Sequence, residues 1–241
     1  MRIIAVAGKG GVGKTTISAL LVRHLTAIKS PVLAIDADPN SNLGTLLGIK
    51  HKETIADIRE EAKNLSSPSF SRSEFFNMRL QEIVAEGKGV DLLVMGKPEG
   101  PGCYCAVNNI LRDYLLKLGK NYSSVVIDNE AGMEHLSRRT AADIDNLLLV
   151  SDATKVGVQS AVNAFKAAKN VGIKIKDASV LINRTVSSLN GEKMKLINDS
   201  GLKVSGYFSF NEKIQKNSEE DGNLSTVTVG GLDRLFAFLE A

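Results

Sequence analysis

Short apolar runs recur along the chain and alternate with segments of helical periodicity. Six runs rich in Val, Ile and Leu predict β-strands at Ile3–Ala7, Val32–Ile35, Val90–Met95, Val125–Ile127, Leu147–Val150 and Ser179–Ile182. Because these runs are mostly apolar and lack a regular alternation with polar residues, they are typical of strands buried on both faces of a parallel sheet. Helices are predicted at Thr15–Ile28, Ala106–Leu118, Val158–Val171, Glu192–Ser200 and Leu232–Leu239. The pattern therefore predicts an α/β fold, with a doubly wound, mostly parallel sheet and helices on both faces.

Length and composition favour one domain over residues 1–241, because single domains of this class reach about 200–250 residues. The stretch from about 50 to 89 interrupts the alternation and is predicted to be an inserted helical and loop segment. We expect a cytoplasmic protein without a membrane span, since no apolar run approaches roughly 18–20 residues and the N-terminus lacks a signal peptide. The net charge of +3 is too small to predict nucleic acid as the main partner.

A glycine-rich segment directly follows the first predicted strand and opens a predicted helix. It reads Gly8-Lys9-Gly10-Gly11-Val12-Gly13-Lys14-Thr15-Thr16 and satisfies the pattern Gly-x-x-x-x-Gly-Lys-Thr. Glycines let closely spaced backbone N–H groups approach phosphates, and the helix N-terminus adds favourable partial charge. We predict that Lys14 binds the β- and γ-phosphates, that Thr15 places its hydroxyl on Mg²⁺, and that Thr16 reaches the α-phosphate. The segment therefore predicts a nucleotide-binding phosphate loop.

The first lysine of this loop is an additional feature. Lys9–Thr16 resembles the deviant Walker A motif of the SIMIBI class of dimeric ATPases, which includes MinD, ParA and the nitrogenase iron protein. The resemblance implies ATP and Mg²⁺ as cofactors and a homodimer in which Lys9 crosses the interface to the partner's phosphates. There it would stabilise the negative charge that spreads in the transition state, as an arginine finger does. The alternative for Lys9 is a solvated surface charge.

Carboxylates end two predicted strands at the edge of the sheet that carries the loop. Asp36 and Asp38 end the second strand, and Asp128 ends the strand Val125–Ile127. Phosphoryl transfer needs a carboxylate near Mg²⁺ and a group that orients the attacking water. Asp128 and Asp36 are therefore predicted to support Mg²⁺, and the SIMIBI resemblance implies that Asp38 positions the water. The alternative is that these residues cap helices or form turns.

Base recognition is predicted at one strand end. Asn183 follows the strand Ser179–Ile182 and resembles the adenine-contacting asparagine of the SIMIBI class. An amide can both donate to and accept from a purine edge. The alternative is a strand-end asparagine that turns the chain.

The chain has two cysteines, Cys103 and Cys105, which follow the predicted strand Val90–Met95. Two thiolates supply half of a tetrahedral metal site. In a homodimer, a two-fold axis beside the segment that carries the cysteines would bring the cysteine pairs of the two chains together as a Cys₄ site. The alternative is a pair of inert cytosolic thiols, which is the usual interpretation of a lone Cys-x-Cys.

The cysteine motif and the segment Ala131–Ala141 together resemble the CooC family of nickel-insertion ATPases. The resemblance implies that Cys103 and Cys105 bind Ni²⁺, or Zn²⁺ in its place, at the dimer interface. It also implies a client nickel enzyme, carbon monoxide dehydrogenase or acetyl-CoA synthase.

Two other functions stay open. Four thiolates also suit a [4Fe–4S] cluster, which would make the protein an iron–sulfur carrier. A metal-free positioning ATPase of the MinD or ParA type is the second alternative.

Overall fold

The computed structural model describes residues 1–63, 72–97, 115, 119–130, 143–220 and 222–239. Within these ranges one sheet contains eight strands, ordered β3-β4-β2-β5-β1-β6-β7-β8. The strands are β1 (Arg2–Ala7), β2 (Val32–Ala37), β3 (Ala85–Glu86), β4 (Val90–Val94), β5 (Ser124–Asn129), β6 (Ile144–Ser151), β7 (Ile175–Asn183) and β8 (Lys203–Phe208). β3 is antiparallel to β4, and the other neighbours are parallel. The carboxyl ends of the parallel strands therefore share one edge of the sheet.

Helices cover both faces of this sheet. They are α1 (Lys14–Ile28), α2 (Leu43–Leu47), α3 (Ile55–Lys63), α4 (Arg72–Ile83), α5 (Lys155–Asn170), α6 (Gly191–Asp199), α7 (Glu212–Glu220) and α8 (Leu232–Phe236). Short 3₁₀ turns lie at Gly119–Asn121, Leu224–Thr226 and Ala237–Leu239. None of the helices in the described part of the chain combines the length and the apolarity needed to cross a membrane.

Successive residues of β1 supply the core on opposite faces of the sheet. Ile4 and Val6 belong to the cluster that includes residues of α1, α2 and α8. Ala5 and Ala7 belong to the cluster formed with α5 and α6, and α3 and α4 cover the same face over β4 and β5. Burial on both faces explains why the strand sequences do not alternate. The predicted doubly wound α/β fold is confirmed.

The sequence pattern missed several elements. β8 is an edge strand whose side chains are only partly buried, and α7 is strongly polar with Ile214 as its buried apolar residue. Neither presents the apolar periodicity that predicts a strand or helix. The predicted helix Leu232–Leu239 is divided into α8 and a 3₁₀ turn. The predicted helix Ala106–Leu118 lies, apart from the helical Leu115, outside the described residues.

Candidate functional site

The glycine-rich loop connects β1 to α1 by a path that requires glycine at two points. Gly13 precedes α1 with φ +89°, and a Cβ added there would lie 2.5 Å from Asn183 Nδ2. A Cβ at Gly8 would overlap the carbonyl oxygen of Val150. No acidic residue occupies the first turn of α1, and Gly13 provides no side-chain cap. The first N–H groups of α1 are thus left for a ligand, as expected of an anion site.

The two loop lysines have different surroundings. Lys14 is only 7% exposed, and its Nζ donates to the carbonyl oxygen of Lys9 across the loop at 3.3 Å. The Lys9 side chain is exposed. Lys14 is therefore held where it can reach a phosphate in the loop, whereas the Lys9 side chain is accessible from outside the molecule.

Asp36 and Asp128 are paired in register on the neighbouring strands β2 and β5, and both are fully buried. Asp36 accepts hydrogen bonds from the backbone N–H groups of Asp38 at 3.1 Å and Leu43 at 2.8 Å. Asp128 Oδ1 accepts from the Ser18 hydroxyl at 2.8 Å. Among the described residues, the buried Asp128 Oδ2 has no hydrogen-bond partner. One carboxylate oxygen of this pair is thus available to a further ligand.

Burial raises the pKa values of both carboxyl groups. The pKa of Asp36 rises to about 7 through burial and the nearby charge of Asp128, against the opposing effect of its backbone hydrogen bonds. Burial raises the pKa of Asp128 to about 6, although the hydroxyls of Ser18 and Thr15 and the charge of Lys14 favour the ionised form. Ionisation of both carboxyl groups is therefore unfavourable when no cation is near. A cation beside the pair would favour the ionised carboxylates and would itself be stabilised by them.

Replacing Asp128 by Asn is expected to stabilise the nucleotide-free protein by about 1–2 kcal/mol at about pH 8, because it removes one of two buried like charges. A carboxyl with a raised pKa costs folding stability when it ionises. The gain should therefore shrink at about pH 5, below the pKa values of about 6 and about 7. Denaturant unfolding without Mg²⁺ measures this. A variant less stable than the parent at pH 8 would contradict the electrostatic account.

Asp38 lies just beyond β2 in a turn and is partly buried. Its Oδ1 accepts the backbone N–H and the side-chain amide of Asn40, both at 2.9 Å. Asp38 thus stabilises the turn after β2, as the alternative prediction for this residue states. Its role in orienting water stays a prediction.

A cavity of about 350 Å³ adjoins the loop and is lined by residues from α1, β7, β8 and α7. The lining residues include Thr16, Asn183, Arg184, Phe208, Phe210 and Asn211. Asn183 ends β7 and is 4% exposed, and its Nδ2 donates to the Val12 carbonyl at 2.7 Å. Aromatic rings beside amide groups suit a planar heterocycle with polar edges.

Several residues of this site were not predicted from the sequence. Ser18 lies four residues after Lys14, about one helical turn along the same face of α1, and that spacing was a usable signal. Arg184, Phe208 and Phe210 join the cavity through the pairing of β7 with β8. Because the β8 pattern was not recognised as a strand, the pairing with β7 that brings these residues to the loop was not predicted.

The predicted metal ligands Cys103 and Cys105 lie outside the described residues, as does the segment Ala131–Ala141. Within the described ranges, no group of three or more His, Cys, Asp or Glu side chains is arranged to hold a metal ion.

Comparison with known proteins agrees with this geometry. The family described as the CobQ/CobB/MinD/ParA nucleotide binding domain matches residues 3–224. An uncharacterized ATP-binding protein of Methanocaldococcus jannaschii is 42% identical over 217 residues, which cover 88% of this chain and 86% of that protein. The carbon monoxide dehydrogenase accessory protein CooC of Rhodospirillum rubrum is 35% identical over 185 residues, covering 71% and 70%.

The fold also matches a solved structure. The septum site-determining protein MinD of Pyrococcus horikoshii, in complex with Mg-ADP, gives a TM-score of 0.72 at 20% identity and covers 99% of this chain and 96% of that one. The shared fold, the loop and the family match lead to one assignment. The chain belongs to the CobQ/CobB/MinD/ParA nucleotide-binding family and is a P-loop ATPase.

Proposed function

We propose that this ATPase works as a homodimer that binds Ni²⁺, or Zn²⁺ in its place, through Cys103 and Cys105 of both chains and delivers nickel to a metalloenzyme. The client would be carbon monoxide dehydrogenase or acetyl-CoA synthase. The main support for this proposal is the position of the two cysteines in the sequence, after β4. The carboxyl end of β4 lies at the same edge of the sheet as the phosphate loop. The 35% identity to the accessory protein CooC supports the same proposal.

The number of thiolates supports a shared site. A closed tetrahedral or square-planar site needs about four donors, and one chain contains two cysteines. A two-fold homodimer supplies four thiolates without any further ligand.

The same edge of the sheet carries the residues proposed for ATP hydrolysis. Lys14 would bind the β- and γ-phosphates, and Asp38 would orient the attacking water. Lys9 would reach the partner's ATP from its exposed position. Its charge would act where negative charge spreads in the transition state.

Mg²⁺ fits the carboxylate pair on two observations. Asp128 has a buried oxygen without a partner among the described residues, and the pKa values of Asp36 and Asp128 are both raised. Thr15 and Asp128 would hold the ion, and Asp36, paired in register with Asp128 on the neighbouring strand, would support its coordination shell. When bound, Mg²⁺ neutralises charge on the phosphates.

The proposal predicts coupling between nickel and ATP. If both ligands favour the same closed dimer, each must raise the affinity of the other by the same factor. ATP binding would then close the dimer around the metal, and hydrolysis would reopen it.

Replacing both Cys103 and Cys105 by Ala is expected to weaken Ni²⁺ binding by at least about 100-fold, because the site loses all of its soft donors. Binding by the parent should also weaken as pH falls, since protons compete for the sulfurs. Anaerobic titration with Ni²⁺ measures both effects. ADP affinity measured without Ni²⁺ is the internal control and should not change, because the phosphate loop is a separate site and no metal is present to couple to it. Tight nickel binding by the double variant would overturn the assignment.

The alternatives differ in what they predict for the same preparation. An iron–sulfur carrier purified anaerobically would absorb visible light through its cluster. A nickel carrier purified without Ni²⁺ would have no cluster and would not absorb visible light. A metal-free positioning ATPase would dimerise with ATP to the same extent with or without Ni²⁺. A positioning ATPase that binds membranes through a C-terminal helix would need the apolar face of that helix to be exposed. Here Leu235, Phe236 and Leu239 are buried in the core cluster that includes α1.

A further inference from the structure

The end of β7 holds two successive carbonyl groups of the phosphate loop. Asn183 Nδ2 donates to the carbonyl oxygen of Val12 at 2.7 Å, and Arg184 Nη1 donates to that of Gly11 at 3.2 Å. Asn183 Oδ1 in turn accepts the backbone N–H of Arg184 at 2.9 Å. Two of these hydrogen bonds connect the strand end to the loop, and the third fixes the two strand-end residues relative to each other.

The direction of these bonds has a consequence for phosphate binding. In a planar trans peptide the C=O and the following N–H point in opposite directions. The carbonyls of Gly11 and Val12 belong to the same peptide units as the N–H groups of Val12 and Gly13. Drawing the carbonyls toward β7 therefore turns those two N–H groups away from it. Convergent backbone N–H groups of this kind bind phosphate oxygens.

Arg184 adopts an unusual backbone conformation to make its contact. Its φ is +55°, in the left-handed region that residues other than glycine seldom occupy. Such a conformation is strained and persists where the surroundings enforce it. Here the Asn183 side chain fixes the Arg184 N–H, and the guanidinium reaches the loop from the mouth of the cavity.

Asn183 and Gly13 fit each other closely. Because a Cβ at Gly13 would lie 2.5 Å from Asn183 Nδ2, the amide occupies the space beside the glycine. The Asn183 amide thus supports the last turn of the loop directly before α1 begins.

We propose that Asn183 and Arg184 are positioning residues that hold the phosphate loop ready for a β-phosphate before the nucleotide arrives. The inference concerns affinity for diphosphate groups and is independent of any metal at the cysteines. It rests on the part of the proposed function that makes Gly8–Thr16 the nucleotide site.

The test uses Arg184→Gly, because glycine accepts the left-handed backbone and removes only the side chain. ADP and inorganic pyrophosphate should each bind about tenfold more weakly, as expected for loss of one charge-assisted hydrogen bond. AMP, which lacks a β-phosphate, should change less than about twofold. In the nucleotide-free protein, amide hydrogen exchange at Val12 and Gly13 should become faster, which a contact made only to bound ligand would not cause.

Two further variants separate positioning from simple charge. Lys195→Ala removes an exposed positive charge on α6 and should leave all three affinities unchanged. Arg184→Lys keeps the charge but lacks the planar fork, and should recover only part of the lost affinity. Full recovery together with unchanged amide exchange would overturn the proposal in favour of a direct charge effect.

Selective loss of ADP binding, with pyrophosphate unaffected, would also overturn it, because Arg184 would then contact the base or ribose. A parent protein that binds neither ADP nor pyrophosphate would instead overturn the assignment of the nucleotide site itself. The failure of the positioning inference and the failure of the proposed site are therefore distinguishable.

Discussion

Lys14→Ala is expected to weaken ATP binding by at least about 100-fold, because several charge-assisted hydrogen bonds to the phosphates are lost together. Lys14 is 7% exposed, and its Nζ already points across the loop to the carbonyl of Lys9. Without it, the β- and γ-phosphates would enter a loop that has backbone donors but no buried ammonium group. Isothermal titration with ATP and Mg²⁺ measures the loss.

The matched control is Lys29→Ala, which removes an exposed lysine at the other end of α1. It changes the net charge equally but lies far from the loop, so ATP affinity should stay within about twofold of the parent. Unfolding curves of both variants check that the fold is intact. ATP affinity of Lys14→Ala equal to that of Lys29→Ala would contradict the proposed phosphate site.

Lys9→Ala is expected to lower ATP hydrolysis by at least about 1,000-fold, in the range measured for removal of an arginine finger. ATP binding by the single chain should change little, since Lys14 contacts the main-chain oxygen of Lys9 rather than its side chain. Single-turnover hydrolysis and titration of the same preparation separate the two effects. Hydrolysis at the parent rate would mean that Lys9 is a solvated surface charge.

Mixing variants tests whether Lys9 acts across the interface. A Lys9→Ala chain can bind ATP, and a Lys14→Ala chain can donate Lys9 to it. A heterodimer of the two variants therefore contains one complete site, and the mixture should hydrolyse ATP although each variant alone does not. An inactive mixture that nevertheless forms heterodimers would contradict action in trans.

The sequence predicted the central strands well because their surroundings are uniform. β1, β2 and β5 are buried on both faces, so their interior positions are apolar, and β2 and β5 become polar again only at Asp36 and Asp128 near their carboxyl ends. β8 and α7 lie at the edge of the fold, where partial exposure permits polar side chains and erases the periodicity. The sequence pattern therefore identified the strands in the middle of the sheet more accurately than the elements at its edge.

The candidate site was predictable to the extent that it is local in sequence. The loop and the carboxylates follow strands directly, so their neighbours in space could be inferred from a parallel sheet. The contact of Arg184 with Gly11 and the position of Phe208 depend on how β7, β8 and the loop meet across the sheet. The pairing of Asn183 with Val12 is likewise distant in sequence, and the motif itself gives no sign of it.

The shared metal site is the central claim, and its stoichiometry tests it most directly. Native mass spectrometry of the anaerobic protein titrated with Ni²⁺ should find one ion bound to a complex of two 25.9 kDa chains. The complex should form with metal even without nucleotide, and Cys103→Ala should abolish the metal-bound species. One ion bound to a single chain, or a dimer that never retains nickel, would contradict the account.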